Sequence, residues 1–186
     1  MTSRPHDPRK LDVAAAAAES QALEGLWPLA GFERLAEGPD KVEGAGRGGD
    51  VHWVARGEQR DVAGAAPEIW LQLAARATIW RECQRCLQPV ALQLDVARAF
   101  RFVADEATAE ALDADSEDDI LALPRRLDLH ALVEDELLLA LPLVPMHVEC
   151  PQELPRSAGD TPGEDTPAAS PKPFAALAGL RRGRPD

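Results

Sequence analysis

Two long runs of strict alternation constrain this chain more than any other feature. Ile69, Leu71, Leu73, Ala75, Ala77 and Ile79 share one parity, and Glu68, Trp70, Gln72, Arg76, Thr78, Trp80 and Glu82 share the other. Val90, Leu92, Leu94 and Val96 repeat the pattern against Gln93 and Asp95, and Arg98, Phe100 and Phe102 extend it. Successive side chains of a strand point to opposite faces, so each run buries one face and wets the other. Only residues 83–89 separate the two runs, which therefore predict one long antiparallel hairpin. A shorter strand is predicted before it, where Val51, Trp53 and Ala55 alternate with His52, Val54 and Arg56, followed by a turn at Asp61–Gly64. A hairpin alone is marginal in water, so helices must cover its apolar face.

The flanks supply those helices. The clearest one is capped by Asp128 and ended by Pro142. Within it Leu129, Leu132, Val133, Leu137, Ala140 and Leu141 recur at helical spacing as one apolar stripe, with His130, Glu134 and Asp135 assigned to the wet face. Leu11–Leu26 reads as an Ala-rich helix capped by Asp12 and stopped at Gly25, and Leu29–Glu37 as a second short helix or strand. Gly44–Gly49 is a loop, and Asp119–Leu123 is a short strand. The predicted fold class is α+β: a small antiparallel β-sheet with a long hairpin, packed by two or three helices, with a disordered C-terminal arm. Residues 1–10 form a disordered lead and 11–150 a single α+β domain. Residues 151–173, rich in Pro, Ser, Thr, Gly and acid, form a flexible linker, and 174–186 a short C-terminal helical segment.

Chemistry concentrates at the hairpin connector. Cys83-Gln-Arg-Cys86 places two thiols with a spacing that reaches one tetrahedral metal from a single turn. His147-Val-Glu-Cys150, just past the last helix, repeats that spacing. Cys83, Cys86, His147 and Cys150 thus make a candidate Cys3His structural zinc site that uses every cysteine of the chain. If they converge, their ligand atoms are expected within roughly 4 Å of one another. Reduced, partly buried thiols with a surface histidine are the alternative. A thioredoxin-like role is disfavoured because Pro89 and a strand, not a helix, follow the Cys pair. The half-sites of a zinc deaminase are missing, and no Gly-rich phosphate loop follows a strand. No catalytic constellation is legible, so no enzyme is expected.

Charge narrows the partners. The formal net charge is -12, of which eight charges fall in an acidic loop at 104–119 that has no Lys or Arg. The net charge therefore excludes binding of nucleic acid through bulk charge alone and leaves a local basic patch open. Arg76, Arg81 and Arg85 line one end of the hairpin beside Trp70 and Trp80. They are candidates for RNA or partner contact, against the alternative of a covered face with both Trp in the core. Glu134 and Asp135 on the helix, and Phe174, Leu177, Arg181 and Arg182 in the arm, complete the candidate contact residues. No apolar stretch approaches the ~18–20 residues that span a bilayer, and no secretory signal is readable. Three cysteines cannot all pair. A cytoplasmic location is expected, with no membrane and no DNA partner.

Three blocks together resemble a known family. Glu82-Cys-Gln-Arg-Cys-Leu-Gln-Pro89 lies in the hairpin. Asp128-Leu-His-Ala-Leu-Val-Glu-Asp-Glu-Leu-Leu-Leu-Ala-Leu-Pro-Leu-Val-Pro-Met-His147 follows, and Lys172-Pro-Phe-Ala-Ala-Leu-Ala-Gly-Leu180 closes the series. In this order, with an acidic stretch between the first two, they are similar to the YceD family of large ribosomal RNA subunit accumulation proteins. The family commonly has Asn before the Pro-Phe of the last block, where this chain has Lys172. The resemblance implies a non-enzymatic cytoplasmic factor for the synthesis, processing or stability of 23S ribosomal RNA. Its implied partner is that RNA or a protein bound to it, and it brings no catalytic residue. A protein adaptor for a ribosomal protein or ribonuclease, without RNA contact, is the alternative reading, and a zinc- or thiol-dependent enzyme is a third.

Overall fold

The computed structural model describes residues 7–36, 49–114, 116 and 118–151. The two alternating runs become β3 (Glu68–Glu82) and β4 (Pro89–Val103), fifteen residues each, paired antiparallel from Ile69↔Phe102 to Glu82↔Pro89. β2 (Asp50–Arg60) pairs antiparallel with β3. β1 (Ala22–Pro28) pairs antiparallel with β2, and β5 (Asp119–Ala122) pairs parallel with β4. The strand order is β1-β2-β3-β4-β5.

The α+β class therefore holds, while the sheet is mixed rather than antiparallel. The reason lies in the acidic stretch. Expected as a loop, it contains helix α3 (Glu106–Asp113), capped by the Asp105 carboxylate accepting from the Thr108 N–H at 2.9 Å. A helical crossover carries the chain back to start β5 in the same direction as β4.

Helices α1 (Val13–Ala18), α2 (Glu33–Ala36) and α4 (Leu129–Leu139) bury their apolar sides on the predicted core parity of the hairpin. Leu71, Leu73, Ala75 and Ile79 meet Val13, Ala16, Phe32, Leu35, Leu129, Val133 and Leu137 in one cluster. Asp12 caps α1 as expected, accepting from the Ala15 N–H. The helix ends at Ala18, however, and Gly25 lies inside β1 instead of stopping a helix. A Cβ at Gly25 would sit 2.9 Å from the Trp53 ring, so the missing side chain admits the indole. Gly57 does the same for α1: a Cβ there would lie 2.4 Å from the Ala16 carbonyl carbon. The helix thus rests directly on the backbone of β2.

α4 begins where Asp128 accepts from the N–H groups of His130 and Ala131. Leu129, Val133 and Leu137 are fully buried, as the stripe predicts. The assignment of the wet face is corrected: His130 and Glu134 are buried and only Asp135 is exposed. His130 stacks on Phe32 with ring centroids 4.1 Å apart and tilts against Trp27 at 4.9 Å. Glu134 faces α2, whose own first turn needs acceptors. Its Oε1 accepts from the backbone N–H groups of Arg34 (2.8 Å) and Leu35 (3.2 Å), and its Oε2 accepts from the Arg34 guanidinium. It is a capping carboxylate supplied from a different helix. Burial alone would raise its pKa, but those donors hold it below the ordinary carboxylate value.

Candidate metal centre and contact surfaces

The hairpin tip is built to turn sharply. Leu87 adopts a left-handed φ of 58°, and the Leu87 N–H donates to the Cys83 carbonyl at 2.8 Å. That turn folds Cys83 and Cys86 onto one side. Pro142 and Pro145 then break the helical path after α4 and lay residues 145–150 along the tip. The Gln84 N–H donates to the Pro145 carbonyl at 2.8 Å and fixes the register between the two segments.

Cys83, Cys86, His147 and Cys150 converge as the spacing predicts, with ligand atoms all within 4.8 Å of one another. Cys83 Sγ lies 4.0 Å from Cys150 Sγ, and Cys86 Sγ lies 3.4 Å from His147 Nδ1. A zinc–sulfur bond near 2.3 Å sets a tetrahedral S···S edge of about 3.8 Å. The cage is thus slightly wider than the expected ~4 Å. All three cysteines are free thiols, Cys83 fully buried and the others half-buried.

The surroundings suit a metal. His147 Nε2 is 3.0 Å from the Pro89 carbonyl, which only accepts, so that nitrogen carries the proton and Nδ1 turns its lone pair to the sulfurs. Burial would push the Cys83 thiol up. The backbone N–H groups of His147, Cys86 and Arg85 and the His147 side chain outweigh it and bring its pKa to about 5. Burial, together with the neighbouring Cys150 and Cys83, raises Cys86. The Arg85 Nε donates to Cys150 Sγ at 3.0 Å, which raises the Arg85 pKa. Around a divalent ion, three thiolates and one neutral imidazole would carry one net negative charge, and Arg85, whose Nε lies 3.0 Å from Cys150 Sγ, would offset it.

The other contact candidates separate. Arg76 is exposed but paired with Asp95 at 2.7 Å. Arg81 has the parity of Ile79 and follows it into the core. It is buried, donating to the Leu35 carbonyl at 2.6 Å, which corrects its placement on a contact face beside Arg76. Trp70 is buried, with its indole N–H on Glu68 at 2.9 Å and the Arg60 guanidinium 3.9 Å over its ring, whereas Trp80 is partly exposed. Glu134 is used internally, and Asp135 is exposed but paired with Arg34 at 2.6 Å. Phe174, Leu177, Arg181 and Arg182 lie outside the described residues. The exposed apolar side chains Leu143, Val144, Met146 and Val148 after α4 were not among the candidates. The run Leu-Pro-Leu-Val-Pro-Met at 141–146 was their signal, since its prolines deny it a helix to bury them.

The family profile described as "Large ribosomal RNA subunit accumulation protein YceD" matches residues 71–181. The chain belongs to the YceD family. The match begins in β3 and takes in the tip, the acidic stretch and α4. A curated YceD protein of Haemophilus influenzae, named a large ribosomal RNA subunit accumulation protein, is 37% identical over 103 residues. That alignment covers 54% of this chain and 59% of the relative, so the chain spans about three-fifths of the length of that YceD protein. No solved structure matches. Among the described residues no helix is long and apolar enough to cross a membrane.

Proposed function

We propose that this chain is a non-enzymatic cytoplasmic factor that supports the synthesis, processing or stability of 23S ribosomal RNA. On this reading it acts by binding, and the Cys3His group holds a structural zinc ion. Membership of the YceD family is the observation that carries the functional reading. The state of the cations sets the mode of binding. Arg76 is paired with Asp95, Arg81 donates into the core and Arg85 faces Cys150. A phosphate backbone needs local Lys or Arg to replace its counterions, and at this hairpin end Arg76 is matched by a carboxylate, Arg81 is buried and Arg85 is engaged by a thiol. The reading is therefore of contact through a protein bound to the RNA.

Direct RNA contact is the second reading, favoured by exposed Arg56 and partly exposed Trp80 on the open sheet face. Sedimentation tests both. Cells lacking the protein should accumulate less 23S ribosomal RNA, and the full chain should co-sediment with precursor large subunits. Retention through ~0.5 M salt supports a protein contact, whereas steep loss with salt supports phosphate contact. Unchanged 23S ribosomal RNA in the deletion strain would refute the function itself.

A further inference from the structure

The tip and the loop after α4 expose more apolar surface than folding requires. Leu143 and Val148 are 101% and 98% exposed, Leu139 73%, Leu87 64%, Val144 52% and Met146 51%. Single exposed apolar residues are ordinary, whereas six on two interlocked segments mark an interaction surface. The segments are interlocked by the Gln84–Pro145 bond, by the His147 N–H on Cys83 Sγ at 3.4 Å and by Arg85 on the His147 carbonyl at 3.3 Å.

The charge around this surface points to its partner. Arg85 is exposed at the tip, and its charge is engaged by Cys150 and the His147 carbonyl. Glu149 is exposed and Glu82 half-buried at the same tip. An apolar surface with an acidic margin repels phosphate and complements a protein face whose apolar recess is edged by Lys and Arg.

We infer that the hairpin tip and residues 139–148 form a docking surface for a basic protein with an apolar recess. Its assembly by metal rests on the zinc reading proposed above. The Cys3His group joins the two segments that carry the apolar side chains. Removing the metal loosens one against the other, so metal loading governs docking.

Proteins extracted from large ribosomal subunits and freed of RNA, and separately a 23S transcript, serve as probes against the labelled full chain. Bound proteins are identified by mass spectrometry, and zinc content and thermal midpoint are measured for every variant. Leu143 and Val148 are almost wholly exposed, so the double variant Leu143→Ser/Val148→Ser should keep its zinc and its midpoint. It should bind a Lys/Arg-rich extracted protein about tenfold more weakly. Cys83→Ser should lose both zinc and binding. Parental affinity in the double variant would overturn the docking surface while leaving the zinc reading intact. A zinc-free parent whose double variant still loses binding would overturn the metal-held assembly alone. A transcript that binds the parent, and binds the double variant more weakly, would overturn the protein partner in favour of RNA.

Discussion

Replacing Glu134 by Ala should destabilise this protein far more than a helix-surface substitution does. The carboxylate is buried and accepts from two backbone N–H groups at the start of α2, at 2.8 and 3.2 Å. Each donor left without a partner costs about 1–3 kcal/mol. The Arg34 ion pair is half-exposed on the arginine side, so solvent screening leaves it a minor part of the loss. Allowing water to reach one of the donors, the loss is about 3 kcal/mol, a large share of a typical ~5–15 kcal/mol stability. In urea, with a slope of about 2 kcal/mol/M, the midpoint should fall by about 1.5 M at unchanged slope. Glu134→Gln keeps an oxygen for the N–H groups and should lose only about 1 kcal/mol. The Glu134 pKa is lowered in the folded state, so its stabilisation is present above the unfolded value near 4.5 and is lost as pH falls through the folded value. The gap between parent and Glu134→Gln should therefore close in acid. A midpoint shift below about 0.3 M for Glu134→Ala, or a Gln variant as weak as the Ala variant, would refute the capping argument.

Other perturbations follow from the packing. Leu137→Asp puts a charge into a fully buried site and should abolish the cooperative thermal transition; an unchanged melt would dismiss the α4 stripe. Gly57→Ala drives a methyl to within 2.4 Å of the α1 backbone and should cost about 2–3 kcal/mol in chemical denaturation, although glycine-to-alanine in a free strand is favourable. Burial lowers the His130 pKa, reinforced by Arg9 and opposed by Asp128 and Glu134, so stability should fall as pH drops below its unfolded value near 6.5. His130→Leu should flatten that part of the pH–stability curve, and an unaltered slope would assign it to other groups. Purified protein should contain one zinc per chain by elemental analysis, and chelation should lower the thermal midpoint by several degrees; a metal-free preparation with the same midpoint would contradict the zinc reading.

The hairpin was legible because alternation over fifteen residues has no helical counterpart, but Arg81 was misplaced on a contact face although it shares the buried parity of Ile79. The Cys3His cluster was legible because the two pairs share one spacing, although their convergence depended on Pro145 turning the chain back to Gln84. β1 was not legible. Its glycine reads as a helix stop, and the reason for it is a Trp ring on the neighbouring strand. Glu134 was misplaced for a related reason: a carboxylate looks solvent-bound when its partners are backbone groups a hundred residues earlier. β5 was found but its direction was not, since a short strand carries no record of which way its neighbour runs.

The length of the hairpin has a geometric consequence. At about 3.3 Å per residue, β3 and β4 hold the cysteine tip roughly 45 Å from the end of β4, where α3 begins. That is more than five screening lengths at physiological salt, each about 8 Å. The carboxylates around α3 therefore exert almost no field at the tip, and the hairpin has an acidic end and an apolar end. If the tip docks on a ribonucleoprotein particle as proposed, the phosphates would turn the acidic end outward, and the length of the hairpin would set both how deep the protein reaches and which way it points.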